Sequence, residues 1–368
     1  KGYRVIALAY RGKVSDDLIY LGCILLKDEV RKDAIEGVKL IKSAGVNLIV
    51  VTGDSLDTAM YIGRELDLYK DDDVCLTSSD LSLMSDDELK ALANRIKIVA
   101  RAKPTDKSRL VRIFKELNLV VGMTGDGIND AAALKKCDVG FAMGSGADVA
   151  KEAADIVILD DNICSISMAI LFGRTIFKNI RKFIIFQLTV NICAMSLSII
   201  GPFIGISTPV TVMQMLWINM IMDSLASLAF AYDNPNKIYM REKPKSKNEH
   251  IINKYMYGEI LITGLYSSLL CILFLKLPVF KELIRYDVDN KYFLTAFFTL
   301  FVFIGIFNAF NARTSKLNLF SNILGNKVFM FVFLIVGIIQ IYFIYYGGSL
   351  FRTYGLTLKE LLICLGLA

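Results

Sequence analysis

The chain has 368 residues, 54% of them hydrophobic, with a mean hydropathy of +0.49. That is too apolar for one ordinary soluble domain and long enough for two or three units, so a membrane is implied. The net charge of +6 comes from 42 Lys and Arg scattered along the sequence, which argues against a nucleic-acid footprint, and the seven cysteines stand singly without a CxxC pair, which argues against a zinc site or a disulfide framework.

The first apolar run, Val5 to Tyr10, is too short for a signal peptide and leads into charged sequence, so the chain begins inside a strand-like pattern, as a fragment would. Residues 1–165 alternate β-branched runs (Arg4–Tyr10, Val46–Thr52, Leu119–Thr124, Ile156–Leu159) with helix-period segments of about ten residues. This rhythm predicts an α/β domain built on a parallel sheet, with ligand sites at the carboxyl ends of its strands. Two of those ends run directly into Thr-Gly-Asp, at Thr52-Gly53-Asp54 and at Thr124-Gly125-Asp126. Ser79 to Leu92 reads as one solvated acidic helix. Residues 166–183 read as a linking helix, and 184–368 as a transmembrane domain.

Five apolar stretches, near 184–206, 210–232, 256–278, 293–311 and 328–346, approach the ~20 residues that cross hydrocarbon. A sixth, Leu356 to Ala368, is short and reads as an incomplete helix. Arg174, Lys178, Arg181 and Lys182 precede the first span, and Lys237, Arg241, Lys243, Lys245, Lys247 and Lys254 crowd the second loop. By the positive-inside rule both face the cytoplasm, and the α/β domain with them. The loop near 205–210 is uncharged and that near 279–291 is balanced, including Asp287, as suits the far side. Lys243-Pro-Lys-Ser-Lys247 could touch anionic lipid.

Chemistry concentrates in two places. Met123-Thr-Gly-Asp-Gly-Ile-Asn-Asp130 packs two carboxylates and an amide into a glycine-bearing turn before a helix, where backbone N–H groups can approach phosphate. Carboxylates beside a phosphate make sense if a cation is shared: Asp126 suits Mg²⁺, with Asn129 and Asp130 orienting the site. The competing reading is a turn followed by an N-cap. Thr52-Gly53-Asp54 could hold phosphoryl oxygens, and Lys107 in Lys103-Pro-Thr-Asp-Lys107 could supply a neutralising charge, unless it is simply solvated. In the apolar spans, Asn219 and Asp223 lie four apart, hence on one helical face, and the preceding helix carries Asn191. Such oxygen ligands suit Ca²⁺, against the alternatives of interhelical hydrogen bonding for Asn191 and a protonated or paired carboxyl for Asp223.

The trio Thr52-Gly53-Asp54, Lys107 and Thr124-Gly-Asp-Gly-Ile-Asn-Asp130 resembles the hydrolase core of P-type ATPases, a branch of the haloacid-dehalogenase superfamily. The likeness continues through Ala142-Met-Gly-Ser-Gly146, Asp160-Asp161-Asn162 and Gly173-Arg174 into the membrane helices, where Phe186-Gln-Leu-Thr-Val-Asn191, Leu216-Trp-Ile-Asn219 and Asp223-Ser-Leu-Ala226 are most similar to plasma-membrane-type calcium pumps. The resemblance implies an α/β haloacid-dehalogenase-like, Rossmann-like phosphorylation domain followed by an α-helical transmembrane bundle. It implies ATP as substrate, Mg²⁺ as cofactor and Ca²⁺ as transported ion in a multi-pass protein of the plasma membrane. Thr52 and Gly53 would contact the phosphoryl group, Lys107 would stabilise it, and Asp126 would bind Mg²⁺. The family's nucleophile sits in an Asp-Lys-Thr-Gly motif that this sequence lacks; Asp106-Lys-Ser-Arg109 is a false echo. The chain alone is therefore expected to form no phosphoenzyme, its nucleotide-binding and actuator domains and first four membrane helices lying elsewhere. At Asp28-Glu-Val-Arg31 relatives usually carry a proline, which leaves a hinge there in doubt. Ala194 and Gly305 stand where the two-ion reticulum-type pump has glutamates, which implies one Ca²⁺ per cycle, held by Asn219 and Asp223 with Asn191 assisting. A membrane-tethered phosphatase, a non-catalytic split-pump subunit, and Mn²⁺ as the ion are the alternatives.

Overall fold

The β-branched runs form strands in the computed structural model, which describes residues 4–11, 18–26, 29–205, 209–285, 288–314 and 325–368. Asp28 and Asp287 lie outside the described residues. The chain divides into two units, Lys1–Phe172 with Asn236–Glu249, and Gly173–Pro235 with His250–Ala368.

In the first unit β1 (Arg4–Arg11) pairs antiparallel with β2 (Leu18–Leu26) in an exposed hairpin, so this run stands apart from the parallel strands that follow. The helices and strands then alternate as α1 (Lys32–Ser43), β3 (Val50–Val51), α2 (Leu56–Glu65), β4 (Val74–Thr77), α3 (Ser78–Leu83), α4 (Asp86–Leu92), β5 (Ile96–Ala100), α5 (Pro104–Glu116), β6 (Gly122–Gly125), α6 (Ala131–Leu134), β7 (Val139–Met143), α7 (Asp148–Ala153) and β8 (Ile156–Ile158). They build two three-stranded parallel sheets, ordered β3-β5-β4 and β6-β7-β8. Parallel strands need both faces covered, and β5 shows it: Ile96, Ile98, Val99 and Ala100 are all fully buried.

The acidic stretch from Ser79 to Leu92 corrects the expectation of one solvated helix. It forms two helices, each opened by its own capping box, Thr77 with Asp80 and Ser85 with Glu88. Each buries one leucine, Leu81 and Leu89, against Ile96, Val99, Leu110 and Ile113. The acidic residues mark helix starts, and the apolar positions between them are core.

The basic second loop is engaged with protein. Lys247 and Lys115 pair with Asp138 at 3.1 and 3.2 Å, Lys245 pairs with Glu249, and Met240 packs against Ala44 and Leu171.

The membrane-type helices are α8 (Ile163–Phe203), α9 (Val212–Leu216) continuing through a π-helical turn (Trp217–Met222) into α10 (Asp223–Ala231), α11 (Lys254–Lys276), the short α12 (Pro278–Leu283), α13 (Lys291–Arg313) and α14 (Lys327–Tyr346). Five of these segments are long and apolar enough to cross a membrane. The linking helix and the first span form one continuous 41-residue helix, α8. α13 is the centre of its unit, with 83% of its most apolar window buried against 33–39% for the others. Its two buried threonine hydroxyls are satisfied within the helix: Thr295 and Thr299 each donate to the carbonyl four residues back, at 2.8 Å. Aromatic rings fill the contacts, with Phe274 stacked on Phe293 at 5.3 Å and Phe310 edge-on to Phe329 at 5.1 Å. After the short α15 (Gly348–Phe351), α16 (Leu358–Leu367) has 10 residues, and its buried Glu360 accepts from the Arg285 guanidinium at 3.1 Å.

Candidate functional site

Two strand exits and one helix start build the polar site of the first unit. At the end of β3, Thr52 and Asp54 hold each other: the Thr52 hydroxyl donates to Asp54 Oδ2 and accepts from the Asp54 amide, both at 3.1 Å. The carbonyls of Thr52 and Asp54 accept from the amides of Ala102 and Arg101, each at 2.9 Å, which ties this exit to the end of β5. Arg101 adopts a left-handed conformation there, φ +54°. A Cβ on Gly53 would meet nothing within 4 Å, so the backbone at this position is open to a ligand.

The chain then turns into α5. Pro104 stands in the first turn, and Asp106 accepts from the Lys103 amide at 2.9 Å and from the Ser78 hydroxyl at 2.7 Å. This start places Lys107 so that its ammonium lies 2.6 Å from Asp130 Oδ1. Asp130, only 4% exposed, uses its other oxygen to accept from the amides of Asp126 and Gly127, both at 3.3 Å. The glycines explain how so many groups fit. A Cβ on Gly125 would lie 2.4 Å from Asp130 Cβ, and one on Gly146 would lie 2.8 Å from the Asp126 carbonyl oxygen, beside the bond from the Ala147 amide to that oxygen at 2.7 Å.

Lys107, Asp126 and Asp130 thus share one bonded group, and Thr52 and Asp54 share another, joined through the β5–α5 connection. Asp130 braces the turn with both oxygens engaged, whereas Asp126 and Asn129 are exposed. Among the described residues no cluster of three or more His, Cys, Asp or Glu could hold a metal unaided. One exposed carboxylate beside a turn of amides fits Mg²⁺, which takes one or two carboxylates and completes its shell with water and phosphate oxygens.

In the second unit the residues read as one face are parted. Asp223 is 5% exposed, while Asn219 is exposed. The physical reason is the π-helical turn between Trp217 and Met222, whose i→i+5 bonds rotate the preceding residues relative to those that follow. Asp223 Oδ2 accepts from the Gln187 amide at 2.6 Å, a partner that sequence reasoning quoted in passing and gave no role. Its Oδ1 is buried with no partner among the described residues, and so is Gln187 Oε1. Asn191, one turn along α8 from Gln187, is half-buried. Trp217, at the head of the π-turn, donates to Gln340 Oε1 at 3.1 Å and meets Phe343 edge-on at 5.0 Å. Near Gly305, Thr189, Cys193, Ser267 and Asn308 line a cavity of about 10 Å³ with no carboxylate on its wall, barely the space of one water. A charge cluster that the sequence did not signal joins Asp233 to Lys182 and, at 3.4 Å, to Arg313.

Comparison with known families agrees with both halves of this description. Residues 3–138 and 107–170 match haloacid dehalogenase-like hydrolase families, and residues 207–368 match the family "Cation transporting ATPase, C-terminus". The chain is 36% identical over 366 residues to "Calcium-transporting ATPase 5, plasma membrane-type" of Oryza sativa subsp. japonica, covering 96% of this chain and 33% of that protein. It is 36% identical over 340 residues to "Calcium-transporting ATPase 2" of Schizosaccharomyces pombe, covering 91% and 26%. Against "Calcium-transporting ATPase 8, plasma membrane-type" of Arabidopsis thaliana it is 35% identical over 362 residues, covering 96% and 34%. The chain spans about a third of the length of such relatives. With matches to haloacid dehalogenase-like hydrolases in its first part and to the C-terminus of cation transporting ATPases in its second, and with five spanning-length helices, the chain is similar over nearly its whole length to calcium-transporting P-type ATPases of the plasma-membrane type.

Proposed function

We propose that this chain supplies the phosphate-handling core and part of the ion site of an ATP-driven calcium transporter that works through an aspartyl-phosphate intermediate. The phosphorylated aspartate and the nucleotide-binding domain come from outside these residues. The observation that carries the reading is the presence, in one chain, of the Lys107–Asp130–Asp126 group and a buried carboxylate, Asp223, inside an apolar helix.

Lys107, held by Asp130, offers positive charge to the phosphoryl group, and the open backbone at Gly53 offers a donor to its oxygens, joined by the Thr52 hydroxyl once that hydroxyl turns from Asp54. Asp126 holds Mg²⁺, which supplies charge neutralisation on the phosphate when bound. In the membrane half, Asp223 carries the transported ion with Asn219 and Asn191. Among the described residues the cavity beside Gly305 has no carboxylate in its lining, which supports one Ca²⁺ per cycle, and oxygen ligands of this kind also admit Mn²⁺. Because α8 contributes residues to both units, it is the element through which we expect phosphate and ion sites to be coupled. The Lys- and Arg-rich segments before the first span and in the second loop support a cytoplasmic hydrolase unit, and the similarity to plasma-membrane-type calcium-transporting ATPases supports a plasma-membrane location.

The test is equilibrium binding of radioactive calcium to the purified full chain in lipid nanodiscs, alongside incubation with radiolabelled ATP. Binding should approach one ion per chain and vanish in Asp223→Ala, with no acid-stable phosphoenzyme. Two ions per chain, or calcium retained by Asp223→Ala, refutes the ion assignment. A phosphoenzyme formed by the chain alone refutes the division of labour.

A further inference from the structure

Across the five spanning-length helices the sequence places only two carboxylates, Asp223 and, in the second turn of α11, Glu259. α8 has neither Asp nor Glu from Ile163 to Phe203. Whatever α8 contributes to a cation site must therefore be a neutral oxygen, and Gln187 is the residue of α8 bonded to Asp223.

We infer that Gln187 is a direct ligand of the transported cation, its Oε1 acting together with Asp223 Oδ1. This rests on the reading of Asp223 as the ion-holding carboxylate and adds a residue to it. The bond from Gln187 Nε2 to Asp223 Oδ2, at 2.6 Å, fixes which way the amide points, because an amide oxygen turned to a carboxylate would be repelled. That orientation leaves one oxygen of each side chain buried without a partner among the described residues. Two acceptors on one bonded pair cannot satisfy each other. They call for a positive centre, and Ca²⁺ takes both carboxylate and side-chain amide oxygens.

The same bond suits a site that must also stand empty. The amide hydrogen supports Asp223 Oδ2 without the ion, and it need not leave when a cation reaches the other oxygen. The contrast with Gln340 is useful. Its unpartnered buried atom is the donor Nε2, which has nothing to offer a cation.

The test uses the full chain in nanodiscs. Trp217 is the only tryptophan, and it heads the turn that leads to Asp223, so intrinsic fluorescence reports this region alone while radioactive calcium gives affinity. Gln187→Met keeps the length of the side chain and removes its oxygen. We expect it to weaken calcium binding by at least about 10- to 100-fold, the loss that even an outer-shell partner of a metal site causes, with the ion-free Trp217 emission unchanged. Gln187→Glu restores an oxygen and should recover binding, now falling more steeply as pH is lowered because a second carboxylate must ionise. Gln187→Met within twofold of wild type, with Asp223→Ala silent, overturns the role of Gln187 and leaves the Asp223 site standing. Equal losses in Gln187→Met and Gln187→Glu, with altered ion-free emission, overturn it in favour of a packing role. No calcium binding by the wild-type chain overturns the Asp223 site and this inference with it.

Discussion

Replacing Lys107 by methionine removes the only cation, among the described residues, within bonding distance of Asp130 Oδ1, leaving a carboxylate that is 4% exposed with two long amide bonds on its other oxygen. Breaking a buried ion pair costs about 3–5 kcal/mol. Lys107 keeps 19% of its side chain in contact with water and the amides of Asp126 and Gly127 still hold Oδ2, so the cost falls below that range, about 2–3 kcal/mol, close to the worth of one or two charge-assisted bonds. Asp130→Asn strands the lysine instead, which can swing to solvent, so about 1–2 kcal/mol is expected. Combined, the two substitutions should fall short of their sum by at least about 1 kcal/mol, because the double variant leaves no buried charge unpaired. The assay is native-state hydrogen exchange of the Asp126 and Gly127 amides in the full chain, with equilibrium unfolding of the first unit as a second measure. Additivity within about 0.5 kcal/mol would refute the claim that the pair acts as one unit.

Two further expectations concern the acid limb of stability and the π-turn. Asp86, in the first turn of α4, is held below the ordinary carboxylate range by hydrogen bonds from Arg112 and Arg109 of α5. Its folded-state value lies below its unfolded one, so its contribution is complete above the unfolded value and is lost as pH falls through the folded one. Asp86→Asn should flatten that acid-side decline when the unfolding midpoint is followed against pH by circular dichroism, and parallel curves would count against the bridge. Gln340→Leu removes the acceptor of Trp217. Membrane hydrogen bonds of this kind average ~0.6 kcal/mol and reach ~1.7, so thermal stability should drop only slightly while Trp217 emission shifts. An unchanged spectrum would show that the indole has no such partner.

Much of the fold could be read from sequence because its signals are local. Strand exits at Thr52 and Thr124, the proline that opens α5 and the lengths of the apolar runs each need only a few neighbouring residues to be recognised. Lys107 and Asp130 were both visible, yet their bond was not, since it depends on how α5 packs beside β6. Ser79 to Leu92 misled for a related reason: the acidic residues of two capping boxes look like a solvated face until Leu81 and Leu89 are seen in the core. The shared face of Asn219 and Asp223 was inferred from α-helical spacing, which the π-turn does not keep. Gln187 was passed over because a lone amide in an apolar run carries no signal until its partner across the helix pair is known.

The π-turn converts one sequence spacing into two different environments. A regular helix would hold Asn219 and Asp223 one above the other; here one oxygen ligand is exposed and the other is buried against Gln187. Such turns are uncommon and gather at functional sites, because they leave backbone bonds less regular and easier to re-form. A cation bound between the two residues would have to draw them back towards one face, which makes ion occupancy and the winding of this segment the same event. Trp217 and Gln340 pin the head of the turn, and the Asp223–Gln187 bond pins its foot. The residues between them, Ile218 to Met222, are where we expect the helix to change when the ion arrives, and amide exchange in that segment should slow on adding calcium to the full chain.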